Sequence, residues 1–246
     1  MPKFFVEKSK ISDTRALITG QDANHIARVL RMEKGDSLVI CDGEGFDYDG
    51  VISEISNGEV NLLIKEKRLC PGESDISVTL FQCLPKGAKM ELIIEKCTEL
   101  GVSKVVPVAS KYCVVKLEDA KKEAKKTEKW QKTADEAAKQ CLRGVIPKVE
   151  NVLSLKDAIK LLSDFDLSIV CYEHEDKTTL KDVLKVNKDA KKIAVFIGPE
   201  GGFSEEEIAL LKDNGAFSIT LGKRILRTET AGLCVISAIM YEMGGF

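Results

Sequence analysis

The 246 residues carry 37 Lys or Arg against 39 Asp or Glu, a formal net charge of -2, and 44% hydrophobic residues. That much apolar material excludes a disordered chain and suits one large domain, or a small one with a medium one. Balanced charge taken alone argues against a nucleic-acid partner, and the lack of any run of about 18 apolar residues argues against a membrane span.

Residues 1–70 read as a small β-rich domain. Stretches 37–41, 46–55 and 59–65 are β-prone, punctuated by Asp42-Gly43-Glu44-Gly45 and by Asn57-Gly58, a strong hairpin signal. One helix interrupts this domain. Asp22 is its expected N-cap, and Ile26, Val29 and Leu30 recur at helical spacing, so His25, Arg28 and Arg31 project elsewhere and are free to meet a polyanion. His25 reads equally as an ordinary surface histidine. Residues 68–75 are a linker by composition.

Beyond it, apolar strands at 76–84, 105–109, 167–172, 193–197 and 218–221 are separated by helices at 89–100, 118–142, 154–162, 178–185, 204–214 and 229–243. In the first helix Met90, Ile93, Ile94, Cys97 and Leu100 share a face, and Gly101 is the stop. Such alternation predicts an α/β fold: a mainly parallel sheet covered by helices, with ligands gathering at the carboxyl ends of strands.

Charge is unevenly spread. Residues 111–148 hold eleven Lys or Arg and six Asp or Glu, a basic island whose plain reading is a solvated helix face. The eight cysteines (Cys41, Cys70, Cys83, Cys97, Cys113, Cys141, Cys171, Cys234) form no C-x-x-C pair and mostly sit among apolar residues. Buried reduced thiols are expected, with neither metal nor disulfide. The start, Met-Pro-Lys-Phe-Phe-Val-Glu-Lys, has no long apolar stretch behind its charge, so a cytoplasmic location is expected.

Two stretches carry chemistry. "IGPEGGFSEEE" (197–207) puts Gly198, Pro199, Gly201 and Gly202 at a strand end, and Ser204 with Glu207 forms a capping box for the helix that follows. The loop has neither P-loop nor Rossmann spacing, and its glutamates would repel an anion at the helix end, so it suits an uncharged or cationic ligand. "LGKRILRTETA" (221–231) follows another strand and runs into a helix that Thr228 is placed to cap. An acidic glycine loop and a basic loop at neighbouring strand ends can make two walls of one site.

Together these stretches resemble the paired signatures of the RsmE family, small-subunit ribosomal RNA uridine-N3 methyltransferases of the SPOUT superfamily. "HIARVLRMEKGD" (25–36), "KMELIIEKCTELGV" (89–102) and "WQKTADEAAKQCLRGVIPKV" (130–149) match in order, so the resemblance covers essentially the whole chain. It implies a PUA-like β-barrel RNA-binding domain (1–70), a SPOUT methyltransferase domain (75–246) with a C-terminal trefoil knot, and a homodimer. The dimer is expected to bury Ala231, Val235, Ala238, Ile239 and Met243 of the last helix, residues that could instead complete their own domain's core.

The implied cofactor is S-adenosylmethionine, held by Tyr172, Gly198, Glu200, Gly201 and Gly202 on one side and Leu221, Gly222, Ile225 and Leu226 on the other. Close backbone approach to adenosine would explain the glycines, although Ile225 and Leu226 read equally as core. Uracil N3 must lose its imide proton before it can attack carbon, which asks for a base or an anion-stabilising group. Arg227 is the candidate to stabilise the anion; Glu229, then Glu200, are candidates for handling the proton, or are salt-bridge partners of Arg224 and Arg227.

The partner implied is small-subunit ribosomal RNA or its ribonucleoprotein particle, met through Arg28, Arg31, Lys86, Lys89 and Arg143. Lys3, Cys113, Lys129 and Lys223 depart from the usual pattern of that family. A noncatalytic RNA-binding assembly factor, or a SPOUT methyltransferase for another RNA, is the competing reading.

Overall fold

A computed structural model describes residues 1–115 and 119–245. Lys116 and Glu118 of the basic island, the expected helix start at 118 and the domain end at 246 lie outside the described residues. The chain divides into two units, Met1–Glu73 with Ala138–Ile146, and Ser74–Ala137 with Pro147–Phe246.

The first unit is built on five strands: β1 (Lys3–Phe5), β2 (Arg15–Ile18), β3 (Ser37–Cys41), β4 (Phe46–Ser56) and β5 (Glu59–Leu69), in the order β1-β3-β4-β5-β2. β1 runs parallel to β3 and the other pairs are antiparallel. The β4–β5 hairpin turns at Asn57 and Gly58, both left-handed at φ 50° and 77°, as a tight two-residue turn requires. Ile18, Ile26, Leu38, Ile40, Ile52, Val60 and Leu62 fill its core.

Two local expectations change here. Thr19, whose side chain makes no capping bond, is the N-cap of α1 (Gly20–Asn24), and Asp22 lies inside the helix, its carboxylate 3.5 Å from Lys139 Nζ. His25–Val29 continue α1 as a π-helical turn in which the Leu30 N–H bonds back to the His25 carbonyl at 2.9 Å. That wider turn breaks the helical spacing. Ile26 is buried, while Val29 and Leu30, 65% and 41% exposed, stand on the surface with Arg28.

The segment Ala138–Ile146 groups with the first unit, although sequence division puts it in the second domain. Its tie is the Glu73 carboxylate, which accepts from the Arg143 guanidinium at 2.9 and 3.2 Å and from the backbone N–H groups of Gly144 and Val145 at 2.7 and 3.0 Å. Arg143, expected on RNA phosphates, is therefore a buried structural cation. Removing one partner of such a pair strands the other, so Arg143→Ala should lose about 3–5 kcal/mol of stability in denaturant unfolding. Unchanged unfolding, with weaker RNA binding, would restore the phosphate role.

The second unit carries β6 (Ser77–Cys83), β7 (Val102–Ala109), β8 (Lys148–Val149), β9 (Leu153–Ser154), β10 (Leu167–Cys171), β11 (Lys192–Ile197) and β12 (Phe217–Ile219). All pairings are parallel, in the order β12-β10-β11-β6-β7-β8, with β9 also on β7. Its helices are α2 (Lys89–Glu99), α3 (Ala120–Gln140, running out of this unit after Ala137), α4 (Leu155–Ile159), α5 (Leu180–Val186), α6 (Glu205–Asp213) and α7 (Thr228–Glu242).

Successive strand residues feed two cores. Val78, Leu80, Ile169 and Val195 pack with Ile93, Ile94 and Cys97 of α2 and Val235, Ile236 and Ile239 of α7; Phe81, Val106, Val170 and Phe196 pack with Ile159, Ile208 and Leu211. Val235 and Ile239 of α7 are thus spent inside their own unit, fully buried, while Ala238 and Met243 stay half-buried. No helix among the described residues is long and apolar enough to cross a membrane.

Candidate active site

Register brings three strand ends together. Cys171 of β10 pairs with Ile197 of β11 and with Ile219 of β12, so the loops that follow emerge side by side. They enclose a cavity of about 480 Å³, the size of a small-molecule site. The first loop contributes Tyr172, Glu173, Glu175 and Asp176, the second Gly198, Pro199 and Gly202, and the third Leu221, Gly222, Lys223, Arg224, Ile225 and Leu226. Seven of the nine expected cofactor residues are in that wall.

Glu200 and Gly201 are not in that wall. The Glu200 carboxylate turns toward α2, where Oε1 accepts from the Lys86 N–H at 3.0 Å and the Lys89 ammonium at 2.9 Å. A Cβ on Gly201 would lie 3.0 Å from Tyr112 Cβ, so that glycine makes room for Tyr112. A Cβ on Gly198 would come within 3.2 Å of the Gly202 backbone, and one on Gly202, at φ 68°, would run into the Glu173 carboxylate. The glycines are needed first by the loop's own packing.

Two residues that sequence reasoning did not place hold the loop. Thr228 caps nothing: Arg227 is the N-cap of α7, and its side chain makes no capping bond. Instead the Thr228 hydroxyl donates to the Gly198 carbonyl at 2.6 Å and accepts from Gln82 Nε2 at 2.9 Å. Gln82, fully buried at the end of β6, also donates to the Cys83 carbonyl at 3.0 Å. A lone amide in the apolar run Val78-Thr79-Leu80-Phe81-Gln82 was the available signal, since a buried amide needs partners.

The charged candidates form a cluster of their own, and none of Lys89, Glu200, Arg227 and Glu229 lines the cavity. Lys89 lies 2.9 Å from Glu200 and 3.2 Å from Glu229, and Arg227, 81% exposed, stands 4.0 Å from Glu229. Burial opposes the charge of Glu200, but Lys89 and the N–H groups of Glu200 and Lys86 outweigh it and hold the carboxyl below its ordinary value. Glu229 is likewise held down, chiefly by its own backbone N–H, with Lys89 and Arg227 adding to it against burial. At the N-terminus of α6, Ser204 and Glu207 exchange bonds at 3.0 and 3.3 Å, and Glu207 also accepts from the Lys111 N–H at 2.7 Å. That helix end is filled by its own carboxylate.

Of the expected RNA contacts, Arg28 and Arg31 are exposed in the first unit and Lys86 in the second, while Lys89 is engaged by carboxylates. Among the described residues no group of three or more His, Cys, Asp or Glu is placed to hold a metal ion.

Residues 72–240 match the RNA methyltransferase domain family. The chain belongs to that family. Residues 18–65 of this RNA methyltransferase match the RNA methyltransferase PUA domain, so its N-terminal unit carries a PUA domain. It is 36% identical to the ribosomal RNA small subunit methyltransferase E of Bacillus subtilis, over 98% of this chain and 97% of that one. To the protein of that name from Synechocystis it is 30% identical, over 96% of this chain and 76% of the other. The crystal structure of the ribosomal RNA small subunit methyltransferase E from Neisseria gonorrhoeae, bound to S-adenosyl methionine, superposes with a TM-score of 0.85 at 27% identity, covering 98% of each chain.

Proposed function

We propose that the chain uses S-adenosylmethionine to methylate N3 of a uridine in the 16S RNA of the small ribosomal subunit. The observation that carries this reading is the cavity at the ends of β10, β11 and β12, bordered by Glu173, Glu175 and Asp176 on one side and by Lys223 and Arg224 on another. A ligand with a sulfonium and no phosphate suits a wall that carries these three carboxylates and a glycine loop of neither P-loop nor Rossmann spacing. The likeness to small-subunit methyltransferases along nearly the full chain supports the RNA substrate.

Tyr172, Gly198 and Gly202 would hold the cofactor from one side, and Leu221, Gly222, Ile225 and Leu226 from the other. When bound, S-adenosylmethionine supplies a methyl group made electrophilic by its sulfonium. The chain's own task is to hold uracil N3 in line with that methyl and to favour the N3 anion. Arg227 is the group for the second task. Glu229 and Glu200, held as carboxylates, are poor proton acceptors at neutral pH, and solvent hydroxide is the better one.

Arg28, Arg31 and Lys86 serve as RNA contacts in this reading, since all three are exposed. The N-terminal unit binds RNA and the second carries the chemistry, with a trefoil knot near its C-terminal end and a cytoplasmic location. The homodimer belongs to the same reading, with a different face of α7. That helix has no charge between Glu229 and Glu242, and Cys234 and Tyr241 are exposed on it. Tyr241→Asp should therefore turn a dimer into a monomer in sedimentation at micromolar concentration; a wild-type monomer with full activity would defeat the dimer.

Mass mapping of methylated nucleosides in ribosomal RNA from a deletion strain tests the function. Loss of one methyluridine from 16S RNA, restored on complementation, is expected. RNA bound but never methylated would leave a noncatalytic assembly factor, and a mark lost from another RNA a different substrate.

A further inference from the structure

Lys89 is the first residue of α2, close behind β6, and its ammonium meets two carboxylates from different segments. Glu200 belongs to the glycine loop after β11. Glu229 is the second residue of α7, next to Thr228, whose hydroxyl holds the Gly198 carbonyl. The side chains of Lys89, Glu200 and Glu229 are only 30%, 28% and 17% exposed, so the cluster is partly screened from water. The charged groups that face it are these three and Arg227, and the Lys86 N–H adds a further bond to Glu200.

Two cations flank Glu229, Lys89 at Oε2 and Arg227 at Oε1. Lys89 has it at 3.2 Å and Arg227 stands off at 4.0 Å with its side chain 81% exposed. A carboxylate released from Lys89 would draw the neighbouring guanidinium inward, because an Arg–carboxylate pair is the stronger charge-assisted bond. Lys89 itself, hydrogen-bonded to Glu200 and ion-paired with Glu229, has its pKa raised and stays charged.

We propose that Lys89 is a positioning residue: by occupying Glu200 and Glu229 it leaves the Arg227 guanidinium free for the substrate and joins the glycine loop to α7. This rests on the reading of the site as a methyl-transfer centre. It differs from a phosphate contact, which would require the ammonium to leave both carboxylates.

The test uses Lys89→Gln, Lys89→Arg and the double variant Lys89→Gln/Glu229→Gln. Single-turnover methyl transfer to small-subunit RNA should fall about tenfold in Lys89→Gln, a coupling of ordinary size for neighbouring charges. RNA affinity and its salt dependence should hold. Lys89→Arg should recover most of the rate, and the double variant should be faster than Lys89→Gln, since no carboxylate then holds Arg227. Weaker RNA binding with a flattened salt slope and an unchanged rate at saturating RNA would make Lys89 a phosphate contact and overturn the proposal. So would a double variant no faster than the single one.

Carboxyl carbon NMR of Glu229 gives a readout that needs no activity. Its titration midpoint should rise in Lys89→Gln, and an unmoved midpoint would sink the clasp. Failure of the wild-type protein to methylate any RNA would instead sink the functional reading, with the NMR result still deciding the role of Lys89.

Discussion

Gly202→Val should abolish cofactor binding, with calorimetry showing at least about a 100-fold loss of affinity for S-adenosylmethionine, about 2.8 kcal/mol at tenfold per 1.4. Two effects add. The residue sits at φ 68°, where a β-branched side chain costs about 1–3 kcal/mol, and its Cβ would run into the Glu173 carboxylate on the cavity wall. The loop must then shift, and it is the wall that shifts. Gly201→Val should do much less, because its Cβ meets Tyr112 at 3.0 Å outside the cavity and needs a yield of a few tenths of an ångström. ATP should bind neither protein, because the glycine loop has neither P-loop nor Rossmann spacing. A thermal melt of each variant separates loop distortion from unfolding. Equal affinity in Gly202→Val would remove the glycine loop from the site, and a wild-type protein without affinity would remove the cofactor.

The contrast between Gly201 and Gly202 shows where sequence reading stops. That a glycine loop at a strand end would border a cavity was legible, because apolar runs alternating with helices predict a parallel sheet and its ligand edge. Asn57-Gly58 and the Ser204–Glu207 box were legible too, each being local chemistry among adjacent residues. What each glycine faces depends on Tyr112 and Glu173, far away along the chain. The Gln82–Thr228 bond spans 146 positions and the Arg143–Glu73 pair 70, so Thr228 passed for a cap and Arg143 for a surface cation. Short elements escaped for another reason. Three residues at Lys3–Phe5 and two at Lys148–Val149 are too few to show a period, and the π-turn at His25–Val29 has a spacing that helical templates do not contain.

Arg227→Ala should lower the single-turnover rate about 10²–10³-fold while leaving cofactor and RNA affinities nearly unchanged, the loss typical of removing one donor that acts on charge in the transition state. The backbone of Arg227 is fixed, since its carbonyl accepts from the N–H groups of Thr230 and Ala231 at 2.9 Å as α7 begins. Its guanidinium, 81% exposed and 4.0 Å from Glu229, is the mobile part. Transfer from N3 needs the imide proton gone, and with Glu200 and Glu229 both held as carboxylates the neutral-pH rate should climb with pH as the uracil ionises. A cation beside the uracil oxygens lowers the pKa of N3, so removing it raises that pKa and moves the climb to higher pH. Arg227→Lys should restore part of the rate, as an ammonium keeps the charge and loses the fork. Glu229→Gln should cost less than about tenfold and leave the profile's shape intact, because a group already ionised is not the one titrating. If Arg227→Ala instead weakened RNA binding and left the rate at saturation and its pH dependence untouched, Arg227 would be a binding residue. The N3 anion would then have to be favoured by another group.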